Sequence, residues 1–265
     1  MEPAINVSLL WSLFIVAHVG LGAPPVRDRL VDRLGELGFG LVFSAVAAVL
    51  FAPLVLYYSA HRFEGAPGLA LGAHALGRAA LEAAVAGGVV LMAAGLASYP
   101  RSPYTVLDGS SRWQAFGLQR VTRHPFFMGL GVFAAAHTLL ATRLVGATFM
   151  AGFAVLAVGG AALQDRKLLA RRGESFARYL TETSAVPFGA ILSGRQDLAW
   201  GELPLGGLLV GCALAVALRG LHQWIFAYGG ALFVGATLGV PAVILVRSLA
   251  RLRRARRREG VRLAS

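Results

Sequence analysis

Cysteine is almost missing from this chain. Cys212 stands alone, which excludes an internal disulfide and any cysteine-based metal cluster and leaves helix packing as its expected place. Charge is scarce as well: 14% of the 265 residues are Asp, Glu, Lys or Arg, and only 13 are acidic against 25 basic. There is no low-complexity linker and no internal repeat, so a string of soluble domains and a solenoid are both excluded. What fills the space is apolar. Hydrophobic residues make up 57% of the chain, and the mean hydropathy of +0.66 lies outside the range of soluble globular domains. The composition is that of an integral membrane protein. A net charge of +12 on such a chain points to anionic lipid headgroups as partners, and not to nucleic acid.

A bilayer core of about 30 Å needs roughly 20 helical residues. Apolar runs of about that length occupy residues 4–23, 39–60, 79–97, 125–142, 144–163, 203–218 and 225–246. The first lacks a basic leader and a small-residue cleavage site, so a retained helix is expected there. Lys and Arg fall as 0, 3, 2, 4, 1, 6, 1 and 8 in the eight segments outside these runs. Cytoplasmic loops retain basic residues, so the alternation predicts about seven spans, N-terminus outside and C-terminus cytoplasmic. The fold class is then all-α, a polytopic transmembrane helical bundle, with a five-helix core over 1–190. Two further helices and a basic tail, "RSLARLRRARRREG", occupy 191–265. The tail reads as an anchor on acidic headgroups. In the connection 164–202, Leu168, Leu169, Phe176, Tyr179 and Leu180 predict one apolar side of an interfacial helix, broken at Gly173.

This topology places the histidines by depth. His18 lies about 7 Å inside the cytoplasmic end of the first span at about 1.5 Å per residue, and His124, in "RVTRHPFFMGLGVFAAAHTLL", opens the fourth span on the same side. His137 is 13 residues further on, about 20 Å along the axis, in the outer half. His61 closes the second span on the outer side, while His74 and His222 are expected in outer loops. Two imidazoles at one depth on different helices are the arrangement that grips a haem iron from both faces, so His18 with His124 is the first candidate pair and His61 with His137 the second. Each has another reading. His61, beside Tyr57 and Tyr58, suits an interfacial aromatic belt, and His137 suits an interhelical hydrogen bond. His18, ionisable within a span, is a functional candidate on that ground alone. Pro125 fits the first helical position, and Arg123 can reach headgroup phosphates. Neither explains His124.

Four stretches, "SLFIVAHVGLGAPPVRDRLVDRLGELGFGLVFS", "YYSAHRFEG", "RVTRHPFFMGLGVFAAAHTLL" and "DRKLLARRGESFARYLTETSAVPF", together resemble the NnrU-like family and its relatives the zeta-carotene isomerases. The resemblance covers about residues 12–188 and implies a helical membrane protein. In the isomerase branch it implies haem b and cis-trans isomerisation of a polyene without net redox change. It puts the iron ligands at His18 and His124, and matches His61 and His137 to two further family histidines. Thr122 stands where that branch has a cysteine. The "APPVRD" loop is nearer to bacterial members, associated with nitrite and nitric oxide reduction, which implies a non-catalytic haem or assembly role with a respiratory partner. The Arg-His-Pro turn is also similar to that of membrane methyltransferases that hold S-adenosylmethionine with a later acidic pair. Here that segment reads Gln164, Asp165, Arg166, without the pair.

The expectation is thus a membrane protein binding haem b through His18 and His124, with Arg120 and Arg123 toward the propionates and a hydrophobic polyene as substrate. An adenosylmethionine-dependent methyltransferase and a respiratory assembly factor are the alternatives. The short N-terminus, entering the first span without room for a transit peptide, predicts a bacterial inner membrane.

Overall fold

In lipid each backbone N–H and C=O must pair within its own segment, so runs of Ala, Leu, Val and Gly become helices. The computed structural model describes residues 2–98 and 114–228 and shows this. Its helices are α1 (Pro3–Gly22), α2 (Pro24–His61), α3 (Ala75–Ser98), α4 (Leu118–Val121), α5 (Pro125–Leu140), α6 (Leu144–Arg172), α7 (Glu174–Glu182), α8 (Gly189–Leu192) and α9 (Leu205–Tyr228). Among the described residues, an isolated bridge between Pro67 and Arg143 is the only β pairing. The chain is an all-α, multi-pass membrane protein, and α1, α2, α3, α6 and α9 are each long and apolar enough to cross a bilayer. α5 is apolar but has 16 residues, about 24 Å, short of the core thickness.

Helices α2 and α9 differ in extent from the sequence reading. α2 begins at Pro24, not near residue 39, because a charged helical stretch precedes its apolar half. Gly35, at φ 71 and ψ 167, breaks the helix there, and Arg27 Nη2 grips both oxygens of Glu36 across the break at 2.8 and 2.7 Å. α9 runs unbroken through residues 219–224, where a connection was expected. The breaker in that stretch is a lone Gly220, which a helix tolerates at about 1 kcal/mol. His222 therefore sits on a helix and not in a loop. The run at 225–246 passes outside the described residues after 228, as does the basic tail.

The described residues fall into two compact units, 2–5 with 62–98 and 114–223, and 6–61 with 224–228. In the second, Trp11, Phe14 and His18 of α1 interleave with Phe39, Phe43 and Phe51 of α2. Successive ring centroids lie 4.6–5.8 Å apart. Asn6 Nδ2 donates to the Tyr57 hydroxyl at 2.5 Å.

The first unit is built on glycine. A methyl carbon placed on Gly88 of α3 would lie 2.7 Å from the Gly129 carbonyl oxygen, and one on Gly129 of α5 would lie 2.7 Å from both the Gly88 oxygen and the Met92 nitrogen. Further along, Gly95 meets Phe126 N at 2.8 Å and Pro125 Cβ at 3.0 Å in the same sense. α3 and α5 therefore touch backbone to backbone, the close approach that small residues permit where no hydrophobic effect drives helices together in lipid. Gly207 and Gly211 of α9 press on Ala94 and Val90 of α3 in the same way.

Gly173, at φ 57, ends α6 and turns the chain into α7, so the expected break is present, although the residues before it continue α6. Phe176 and Tyr179 are fully buried and form a small core with Leu168 and Ala115, with Leu180 packed against it. Leu169 does not join this face as expected. One residue on from Leu168 it is turned about 100° around the helix and is 40% exposed.

Candidate functional site

The site begins with a turn that its own sequence cannot make helical. Pro125 disfavours helix at the preceding residue, so α4 stops at Val121 and α5 starts at Pro125, leaving Thr122, Arg123 and His124 extended or irregular between them. Their polar groups find partners on the strap 183–188. Arg123 N–H donates to Ser184 O at 2.8 Å, the Thr122 hydroxyl to Ala185 O at 2.5 Å, and Phe188 N–H to Val121 O at 2.7 Å. Thr122 is fully buried, and its oxygen also accepts the His124 N–H at 3.3 Å. Thr122 thus has a place in the fold.

Two carboxylates organise the side chains. Asp165 of α6 accepts from Arg123 Nε at 2.9 Å and Nη2 at 2.8 Å through one oxygen, and from His124 Nε2–H at 2.9 Å through the other. Arg123 Nη1 reaches Thr183 O at 3.3 Å. Glu202 takes Arg120 in a two-oxygen fork, 2.9 Å at each contact, and accepts the Gly117 N–H at 2.8 Å, while Gln196 Oε1 accepts the third Arg120 contact at 2.9 Å. The Arg120 fork and the Gly117 amide lower the Glu202 pKa to about 2, and the same hydrogen bond raises that of Arg120. Tyr179 is fully buried beside this group, its hydroxyl without a hydrogen-bond partner among the described residues. Burial pushes the phenol up, Arg123 opposes this, and Asp165 adds to it.

The lowered Glu202 carboxyl makes a pH prediction. Its folded pKa lies below its ordinary value of 4.5, so the clamp stabilises the fold above that value and the contribution fades as pH falls from there toward 2. In detergent, Glu202→Gln is expected to melt below wild type at pH 7, with the gap narrowing through that window. A gap independent of pH would remove the carboxylate from the explanation.

The other candidate histidines have partners of their own. His18 is held between Phe14 and Phe43, with ring centroids 5.2 and 4.6 Å away. His61 ends α2, stacked on Tyr57 at 4.1 Å, its Nδ1–H donating to Tyr57 O at 2.9 Å. His137 likewise donates Nδ1–H to Phe133 O, four residues back on α5, at 2.9 Å. This is a bond within the helix, not the interhelical one expected; the His137 ring lies 4.3 Å from that of Phe133 and 6.3 Å from that of His222 on α9. His18 and His61 belong to one unit, His124 and His137 to the other.

With this geometry in view, comparison with known proteins becomes informative. The profile of the NnrU protein family matches residues 7–229. The chain belongs to the NnrU protein family. It is 30% identical over 204 residues to a 15-cis-zeta-carotene isomerase, chloroplastic, of Arabidopsis thaliana, covering 74% of this chain and 53% of that protein. To the enzyme of the same name from Zea mays it is 29% identical over 206 residues, covering 72% and 51%. The chain therefore spans about half the length of these curated relatives. No solved structure matches.

The haem that the sequence resemblance implies can be set against these NnrU-family residues. An axial histidine offers a ring nitrogen lone pair to iron and gives its other N–H to a carbonyl or carboxylate. His61 and His137 have that form, with Nδ1–H tied to a carbonyl and Nε2 left over. His124 also gives one N–H to a carboxylate, Nε2–H to Asp165, but its side chain is 2% exposed, so protein atoms already cover the remaining ring nitrogen, Nδ1, where a porphyrin face would have to lie. Arg120 and Arg123, expected at propionates, are each spent on a protein carboxylate. The Arg-His-Pro stretch does not fit a haem in this arrangement. It offers adenosylmethionine no spare counter-charge either, because Asp165 already serves two donors. Sequence reasoning missed Asp165 and Glu202 as partners. Scarcity was the available signal, since 13 carboxylates face 25 cations and a carboxylate beside an apolar run is costly to leave without a partner.

Proposed function

We propose that this NnrU-family protein takes up a linear, lipid-soluble polyene from the bilayer and interconverts the cis and trans forms of one of its double bonds. The observation that carries the reading is the similarity to two 15-cis-zeta-carotene isomerases over more than two thirds of the chain. The reaction is balanced without a co-substrate: no atom is gained or lost, and one C=C turns once its double-bond character is transiently reduced. The chain's own contribution is to bind and orient. The half-buried rings of Phe39, Phe43 and Phe51, the second of them against His18, provide polarisable surface of the kind along which a conjugated chain packs, each atom contact adding about 0.1–0.2 kcal/mol. Because His124 does not fit as an iron ligand, no step is routed through haem.

The test uses bacterial cells that accumulate 15-cis-zeta-carotene, kept in darkness to exclude photoisomerisation. Cells with this chain in their membranes are expected to lose the 15-cis isomer and gain the 15-trans isomer on chromatography. An isomer ratio equal to that of cells lacking the chain, with the protein present in the membrane, overturns the proposal.

A further inference from the structure

The strongest unexplained feature outside the polyene reading is that every basic or imidazole side chain of the Arg-His-Pro stretch is already held by the protein. His124 is 3% exposed although it stands at the mouth of an apolar helix. Its Nε2–H and the Arg123 guanidinium divide the two oxygens of Asp165 between them. Asp165 lies on α6, the histidine caps α5, and Pro125 and Phe126, the next two residues, meet Gly95 of α3 at the backbone. One carboxylate therefore fixes the start of α5 against α6 at the point where α5 touches α3. The strap 183–188, which follows α7, closes over the same turn through Ser184, Ala185 and Thr183.

We infer that His124 is a positioning residue, a hydrogen-bond donor in a buried clamp on Asp165 that sets the height and tilt of α5, and not a metal ligand. The chemistry favours this assignment. A carboxylate beside a guanidinium is a strong acceptor that needs the imidazole proton at Nε2; an iron at that nitrogen would displace the proton and leave one Asp165 oxygen without its donor, and the Nδ1 side is closed because the whole side chain is 2% exposed. The inference stands whether or not the chain isomerises a polyene.

Glutamine separates the two roles, since its amide N–H can reach the place of the imidazole Nε2–H and cannot serve as an axial ligand. In detergent-purified full-length protein, His124→Ala is expected to lower the thermal midpoint by about 5 °C, from the loss of a bond to a charged group. His124→Gln is expected to recover most of that. Both are expected to leave the visible spectrum of protein from haem-supplied cells unchanged per folded chain, whether wild type shows a Soret band or none. Two results would overturn the inference. One is a His124→Gln protein that melts like wild type but loses or shifts a Soret band that wild type has. The other is a His124→Ala protein as stable as wild type, or a His124→Gln protein no more stable than His124→Ala. Failure of the polyene reading shows separately, as unchanged isomer ratios.

Discussion

Gly129→Leu is expected to yield almost no folded protein. Its Cβ alone would come within 2.7 Å of the Gly88 carbonyl oxygen and the Met92 amide nitrogen, and both belong to backbone that cannot rotate aside. To restore even a tight 3.4 Å contact, α3 and α5 must part by roughly 0.7 Å, and the rest of the leucine demands more. Separation also loosens the contacts at Gly95 and Pro125, so the cost exceeds the 1–3 kcal/mol that is about usual for overpacking a core. Gly88→Leu should behave alike. Gly159→Leu is the control, because nothing lies within 4 Å of its missing Cβ. Fluorescence-detected size exclusion of the detergent extracts checks this. A monodisperse Gly129→Leu peak at wild-type height would contradict the close crossing.

Asp165→Ala should have the next largest effect. It leaves two donors without their acceptor, a guanidinium 17% exposed and an imidazole 2% exposed. Removing one partner of a buried pair costs about 3–5 kcal/mol. The Thr183 carbonyl still serves Arg123, so the low end applies, about 3 kcal/mol, or roughly 6–12 °C in thermal midpoint for a chain of this size. Asp165→Asn keeps an oxygen acceptor, loses the charge, and should fall between. Melting curves in one detergent decide it, and an Asp165→Ala midpoint within about 2 °C of wild type would mean the clamp carries no weight.

What the sequence made legible was what lipid and periodicity impose on single segments. The apolar runs became helices, Gly173 ended one, and Phe176 and Tyr179 formed the buried face of α7. The helical ranges that went astray were those where apolarity alone was followed. The charged start of α2 is helical although its apolar stretch begins only near residue 39, and α9 continues through Arg219 and His222 because nothing there forces a turn. In the candidate site, Arg120, Arg123 and His124, singled out from the sequence for a haem, stand on one turn and are each bound to protein groups. Their work was not legible, because it depends on Asp165 and Glu202, 41 and 82 residues away from His124 and Arg120. Depth along a helix axis can match two histidines, but it says nothing of which way an imidazole turns. His137 shows the same gap: its ring meets His222, a residue read as part of a loop.

The most direct test of the account is isomerisation by the isolated protein. The purified chain, reconstituted in liposomes and held in darkness with 15-cis-zeta-carotene, is followed by chromatography against protein-free liposomes and against the misfolded Gly129→Leu protein. The account predicts conversion to the 15-trans isomer that rises in proportion to folded protein and is absent from both controls. Folded protein that leaves the isomer ratio at the protein-free value would contradict it.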